Sequence, residues 1–105
     1  MWKSALILIS LLNVAAAEAA TRSFSSPATE GVRIASCLAD GTSCGKLAAD
    51  VFCQREGFKE SILFGREMVA STRPLDSENL CENGQCEAFT KIKCYQPQTV
   101  EQVSN

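Results

Sequence analysis

The chain has 105 residues, ten basic and twelve acidic, with six cysteines, no histidine and a net charge of −2. Without an imidazole to move a proton, Ser-His-Asp and Cys-His mechanisms are closed. Its basic residues are dispersed singly, which argues against nucleic acid and anionic membranes as partners, since both recruit clustered Lys and Arg.

Residues 1–19 have the three parts of a secretory signal: a basic start at Met1-Trp2-Lys3, an apolar run from Ala5 to Val14, and small residues for cleavage after Ala17 or Ala19. The run is too short for a membrane span, which needs ~20 apolar residues. Cleavage after Ala17 would leave nine basic and twelve acidic residues. Residues 20–31 are rich in Ser, Thr and Ala, lack apolar periodicity and read as a flexible leader. A single domain is expected over 32–95, with 96–105 as a polar tail.

Within the domain, Val32, Ile34 and Ser36 alternate with Arg33, Ala35 and Cys37, so a first strand is expected up to Leu38, followed by a turn at Asp40-Gly41. From Cys44 to Glu56 the apolar residues change to helical spacing, with Ala48, Val51 and Phe52 on one face. Ser43 is the expected N-cap, Gly57 fits the left-handed C′ position, and Phe58 falls where a Schellman ending returns an apolar side chain to the last turn. Ser61 to Val69 suits a second strand, with Gly65 as a bulge or close-approach point. Asn83-Gly84 predicts a type I′ hairpin turn, and the last strand runs from Phe89 to Tyr95. The fold class is therefore α+β: one helix on a small three- to four-stranded sheet, stapled by three disulfides.

Six cysteines behind an export signal are most simply disulfide partners, because a core of this size rarely supplies more than about 3–5 kcal/mol. A two-residue turn at Asn83-Gly84 would set Cys81 opposite Cys86. Cys44 and Cys53, on one helix and ~13.5 Å apart along its axis, are too distant to bond. Either Cys37–Cys53 with Cys44–Cys94, or Cys37–Cys44 with Cys53–Cys94, then remains. The former is expected, because a strand–helix–strand unit followed by a short meander leaves the last strand parallel to the first and delivers Cys94 near the helix start; an antiparallel last strand would reverse the choice.

Chemistry-bearing patterns are thin. Ser43-Cys44-Gly45-Lys46 matches the S-x-x-K signature of penicillin-binding proteins and β-lactamases, but no S-D-N or K-T-G follows, so these residues read as a helix cap and a solvated lysine. No C-x-x-C, calcium-loop or phosphate-loop pattern is complete, so no metal, cofactor or catalytic residue is assigned. Carboxylates are scattered, leaving a carboxylate-based hydrolase as a weak alternative. Phe64, Arg66 and Arg73 form the candidate binding rim, since arginine and aromatic residues are enriched at contact sites.

The run from Ser36 to Lys46, with Ala48 to Cys53, Gly57-Phe58 and Ile92-Lys93-Cys94, resembles small exported six-cysteine proteins found among alphaproteobacteria. That resemblance implies a periplasmic or secreted home and no particular activity. The reading is a non-enzymatic binding or interaction module whose partner is a protein or glycan outside the cytoplasm, with no membrane association once the signal is removed. The alternative is a small secreted inhibitor or effector of a partner protein.

Overall fold

The computed structural model describes residues 19–97; the expected signal, except its last residue, and the tail beyond residue 97 lie outside the described residues. The chain order is β1 (Ala20–Ser25), β2 (Ala28–Thr29), β3 (Val32–Ile34), α1 (Lys46–Arg55), β4 (Glu60–Val69), β5 (Thr72–Arg73) and β6 (Cys86–Gln96). The α+β architecture read from the sequence is present, with the strands divided between two three-stranded sheets, β1-β6-β4 and β2-β3-β5. Residues 20–31, which composition assigns to a leader, hold β1 and β2.

The larger sheet is antiparallel throughout, and one of its rows aligns Phe24, Ile92 and Phe64 across its three strands. Helix α1 buries Ala48, Ala49, Phe52 and Cys53, a stripe at i, i+1, i+4 and i+5 that lies on one side of a 3.6-residue turn. With Ile34, Phe89, Ile92 and Cys94 they form the core, and Phe24, Phe58 and Phe64 pack against it. Burying side chains as large as Phe89 and Ile92 contributes about 1.5–3 kcal/mol each. Phe24 meets the Phe52 ring edge-on at 4.9 Å, so even the first strand is held by the helix.

The helix ends as its sequence specifies. Gly57 adopts φ 95°, the Phe58 amide donates to the Cys53 carbonyl at 2.8 Å, and the Gly57 amide donates to Gln54 at 3.1 Å, the paired bonds of a Schellman motif. Its start differs. The helix begins at Lys46, with Gly45 at the cap position and no side-chain cap, while the Ser43 hydroxyl donates to Asp40 instead. The cause is Cys44, which pairs across a β-bridge with its disulfide partner Cys37, so only a residue free to take φ 65° can turn the chain from bridge into helix.

The disulfides are Cys37–Cys44, Cys53–Cys94 and Cys81–Cys86. The favoured Cys37–Cys53 and Cys44–Cys94 pairs are thus replaced by the other surviving combination. The physical reason lies in strand direction: Ala35 bridges Ala88 in antiparallel sense, so β6 runs opposite to β3 and brings Cys94 to the far end of the helix, beside Cys53. Cys81–Cys86 forms as expected, but not across a type I′ hairpin. Asn83 has no positive φ, Cys81 bridges Thr72, and β6 takes β4 as its partner. A two-residue loop with both central residues at positive φ, as type I′ requires, occurs instead at Glu30 (52°) and Gly31 (83°), joining β2 to β3.

Gly65 is both a bulge and a close approach. The β4–β6 register shifts between Gly65 and Arg66, and a Cβ on Gly65 would stand 2.5 Å from Thr90 Oγ1. A second shift falls between Ser61 and Leu63. Each irregularity has a backbone group satisfied by a side chain from another element. At the first, Arg33 Nη2 donates to the Phe89 carbonyl and to Glu67 Oε2, both at 2.8 Å. At the second, the Ser61 amide and hydroxyl donate to Asp50 Oδ1 at 2.8 and 2.7 Å, and Lys46 Nζ donates to the Ser61 carbonyl at 2.9 Å.

Candidate functional site

The smaller sheet positions the candidate site. Its β3–β5 pairing is parallel, Arg33 opposite Thr72 and Ile34 opposite Arg73, which carries the chain after β5 past the end of the helix. Between the β2–β3 turn, the last turn of α1 and residues 73–78 lies a cleft of about 160 Å³. Val32, Ile34, Pro74 and Leu75 supply its apolar lining, and Arg55 and Arg73 supply two guanidinium groups. That volume is close to the ~150 Å³ that accommodates a benzene-sized body.

Both arginines are held by backbone carbonyls. Arg73, with a side chain only 18% exposed, donates from Nη2 to the Thr29 carbonyl at 3.1 Å and to Glu30 Oε1 at 3.4 Å. Arg55 donates from Nη1 to the Leu75 carbonyl at 2.8 Å. A guanidinium carries five N–H donors and no acceptor, so each retains donors after these anchors are made. Glu30 and Glu78 also line the cleft, and Glu30 is 79% exposed. Segment 70–85 is pinned by reciprocal backbone bonds between Thr72 and Cys81, by Asp76 accepting from the Ala39 amide at 2.8 Å, and by Arg55.

No family model, no curated protein and no solved structure matches this chain. The cleft's own geometry therefore carries the functional reading.

Of the three rim residues named from the sequence, Arg73 lines the cleft, and Phe64 and Arg66 do not. Those two adjoin one another elsewhere. Arg66 lies over the Phe64 ring at 5.7 Å and pairs with Glu87 at 3.6 Å, while Phe64 packs edge-on against Phe89 and across Gly45, where a Cβ would stand 3.3 Å from the ring. Phe64 is thus committed to packing at the helix start. Glu87 also accepts the hydroxyl of buried Ser36 at 2.6 Å, which ties this cluster to the strand before the Cys37 bridge.

Sequence reasoning missed Arg55. Its only local signal is a cation in the last helical turn, where it complements the macrodipole wherever it points. The cleft walls come from segments brought together by the parallel β3–β5 contact, which no local spacing encodes.

Two aspartates have carboxyl groups held below the usual range for other reasons. The Ser43 hydroxyl, followed by the Ser43 and Thr42 amides, pulls Asp40 down to about 2 and fixes the turn that the Cys37–Cys44 bond closes. For Asp50, burial pushes the carboxyl up, but the Ser61 amide and hydroxyl together with Lys46 outweigh it and the net direction is down. Lys46 is raised in turn, chiefly by its bond to Asp50. These contacts fasten loop and helix to sheet. Among the described residues there is no cluster of acidic or cysteine side chains placed to hold a metal ion, and all six cysteines are bonded to one another. No described helix is long and apolar enough to cross a membrane.

Proposed function

We propose that this protein is an exported, non-enzymatic binding module that works in the periplasm or outside the cell, and that the Arg55–Arg73 cleft is its ligand site. The supporting observation is two guanidinium groups, delivered by different elements and anchored on backbone carbonyls, beside an apolar lining. Pre-anchored arginines lose little rotamer freedom on binding, which is the arrangement that favours affinity. The export reading rests on the secretory pattern of residues 1–19, with cleavage after Ala17 or Ala19, and on a small core stapled by three disulfides. Its partner is a protein or glycan of that compartment, with no role for nucleic acid or a membrane.

An inhibitor of the protruding-loop kind is less well supported. Such a loop would have to project from between Val69 and Ser77, whereas that stretch is bonded to Cys81, Ala39 and Arg55 and serves as a cleft wall. A carboxylate hydrolase is less well supported too, because Glu30 sits in water beside Arg73.

The test is affinity capture from periplasm and culture medium, using the oxidised mature protein in parallel with a double variant, Arg55→Gln with Arg73→Gln. The expected result is a species retained by the natural protein and lost by the variant. Identical captures by the two would overturn the assignment of the cleft.

A further inference from the structure

We infer that the cleft recognises a monocarboxylate attached to a short apolar body, an inference that rests on the reading of this cleft as the ligand site. Three features converge on that chemistry. Arg55 and Arg73 offer spare N–H donors and no acceptor, so the complementary group is an acceptor-only anion. The apolar side chains of Val32, Pro74 and Leu75 line part of the same 160 Å³, over the buried Ile34. Bare phosphate would leave that apolar surface unused, whereas a carboxylate with a branched aliphatic body covers it and places its oxygens at the arginines.

Charge selects the monoanion. The cleft carries two arginines and, in Glu30 and Glu78, two carboxylates. Its lining is therefore balanced before anything binds. A single added negative charge can be met by both guanidinium groups, Glu30 being 79% exposed and free to yield its contact with Arg73. A dianion would bring a second charge against the same two carboxylates with no further cation to meet it. Two sources present the favoured chemistry: a free small aliphatic acid, and the C-terminal carboxylate of a polypeptide ending in an aliphatic residue.

Amide NMR titration of the full oxidised protein distinguishes these cases, with 4-methylpentanoate as the free acid, N-acetyl-leucine as the chain-end mimic and N-acetyl-leucine amide as the uncharged control. Saturable shifts at Val32, Ile34 and Leu75 are expected with both acids and absent with the amide. Tighter binding of N-acetyl-leucine would identify the chain end of a protein partner; tighter binding of 4-methylpentanoate would support the carboxylate assignment and replace the protein or glycan partner with a free acid. Arg55→Gln and Arg73→Gln should each weaken the acids by about tenfold or more, the scale of a lost charge-assisted bond. Because the amide comparison uses the natural protein, the test stands even if a variant misfolds. Equal binding of acid and amide at these residues would overturn the carboxylate assignment while leaving the cleft a binding site. Shifts that never saturate, or that fall elsewhere, would overturn the ligand class, and the capture comparison above would then decide whether the cleft binds anything.

Discussion

Replacing Cys53 and Cys94 together with alanine should cost far more than removing either of the other bonds. The sequence separations are 41 residues for Cys53–Cys94, 7 for Cys37–Cys44 and 5 for Cys81–Cys86. In the chain-entropy description, closing a loop of the first size restricts the unfolded chain by about 4 kcal/mol, and loops of the other two by about 2 kcal/mol each. Cys53 and Cys94 are also fully buried in the core, so losing both sulfurs leaves unfilled space worth roughly 1–2 kcal/mol more. The sum, about 5–6 kcal/mol, exceeds the about 3–5 kcal/mol that the small core alone supplies and leaves the fold dependent on the two short-loop bonds. Urea denaturation followed by far-UV circular dichroism is the suitable assay, because the single tryptophan, Trp2, lies outside the described residues. The C53A/C94A transition should shift by about 5–6 kcal/mol, while C37A/C44A and C81A/C86A should each shift by about 2 kcal/mol. A C53A/C94A protein no less stable than C81A/C86A would refute the reasoning. So would non-reducing peptide maps of the natural protein in which Cys53 and Cys94 are not linked.

Gly65→Ala should destabilise by about 1–3 kcal/mol, because the new methyl meets the short, stiff Thr90 side chain; in a Thr90→Ala background the cost should shrink, and an equal cost in both backgrounds would exclude the steric account. Gly84→Val should cost about 1–2 kcal/mol through backbone strain alone, since φ is 82° and a Cβ there touches nothing within 4 Å; hydrogen exchange should quicken within the Cys81–Cys86 loop before the sheet responds. Asp40 and Asp50 have folded pKa values below their unfolded ones, so their stabilisation is complete above the ordinary carboxylate value of about 4 and is lost as pH falls through the folded value, about 2 for Asp40. Asp50→Asn should therefore lower stability at neutral pH and flatten its decline in acid, and a urea series from pH 7 to pH 3 with unchanged slope would contradict this.

Features written in neighbouring residues were legible, and features made by distant contacts were not. Gly57-Phe58 announces the helix end because the motif's two bonds close within one turn. Gly65 stands out because a glycine inside a β-branched and aromatic run needs a reason, here Thr90 and the register shift. The helix start was misread because Ser43 has the chemistry of a cap, but a bond from Cys44 to Cys37 overrides it. Strand β1 was hidden by its composition, since Phe24 is its one partly covered residue and the rest of the strand is exposed. The two-residue strands β2 and β5 exist only through their partners. Arg73 could be singled out as an arginine, but its role beside Arg55 appears only when β3 and β5 lie side by side.

The order of the cysteines along the chain makes the native pairing a problem of biogenesis. If the chain is exported as proposed, an oxidase acting on it as it emerges would link thiols in the order they appear, joining Cys37 to Cys44 correctly. It would then join Cys53 to Cys81 and Cys86 to Cys94, two bonds absent from the fold. Native maturation therefore requires Cys53 to stay reduced while 41 further residues are delivered, or a thiol–disulfide isomerase to exchange the misjoined pairs. On the first of these routes the bond that contributes most to the folded state is also the last to close.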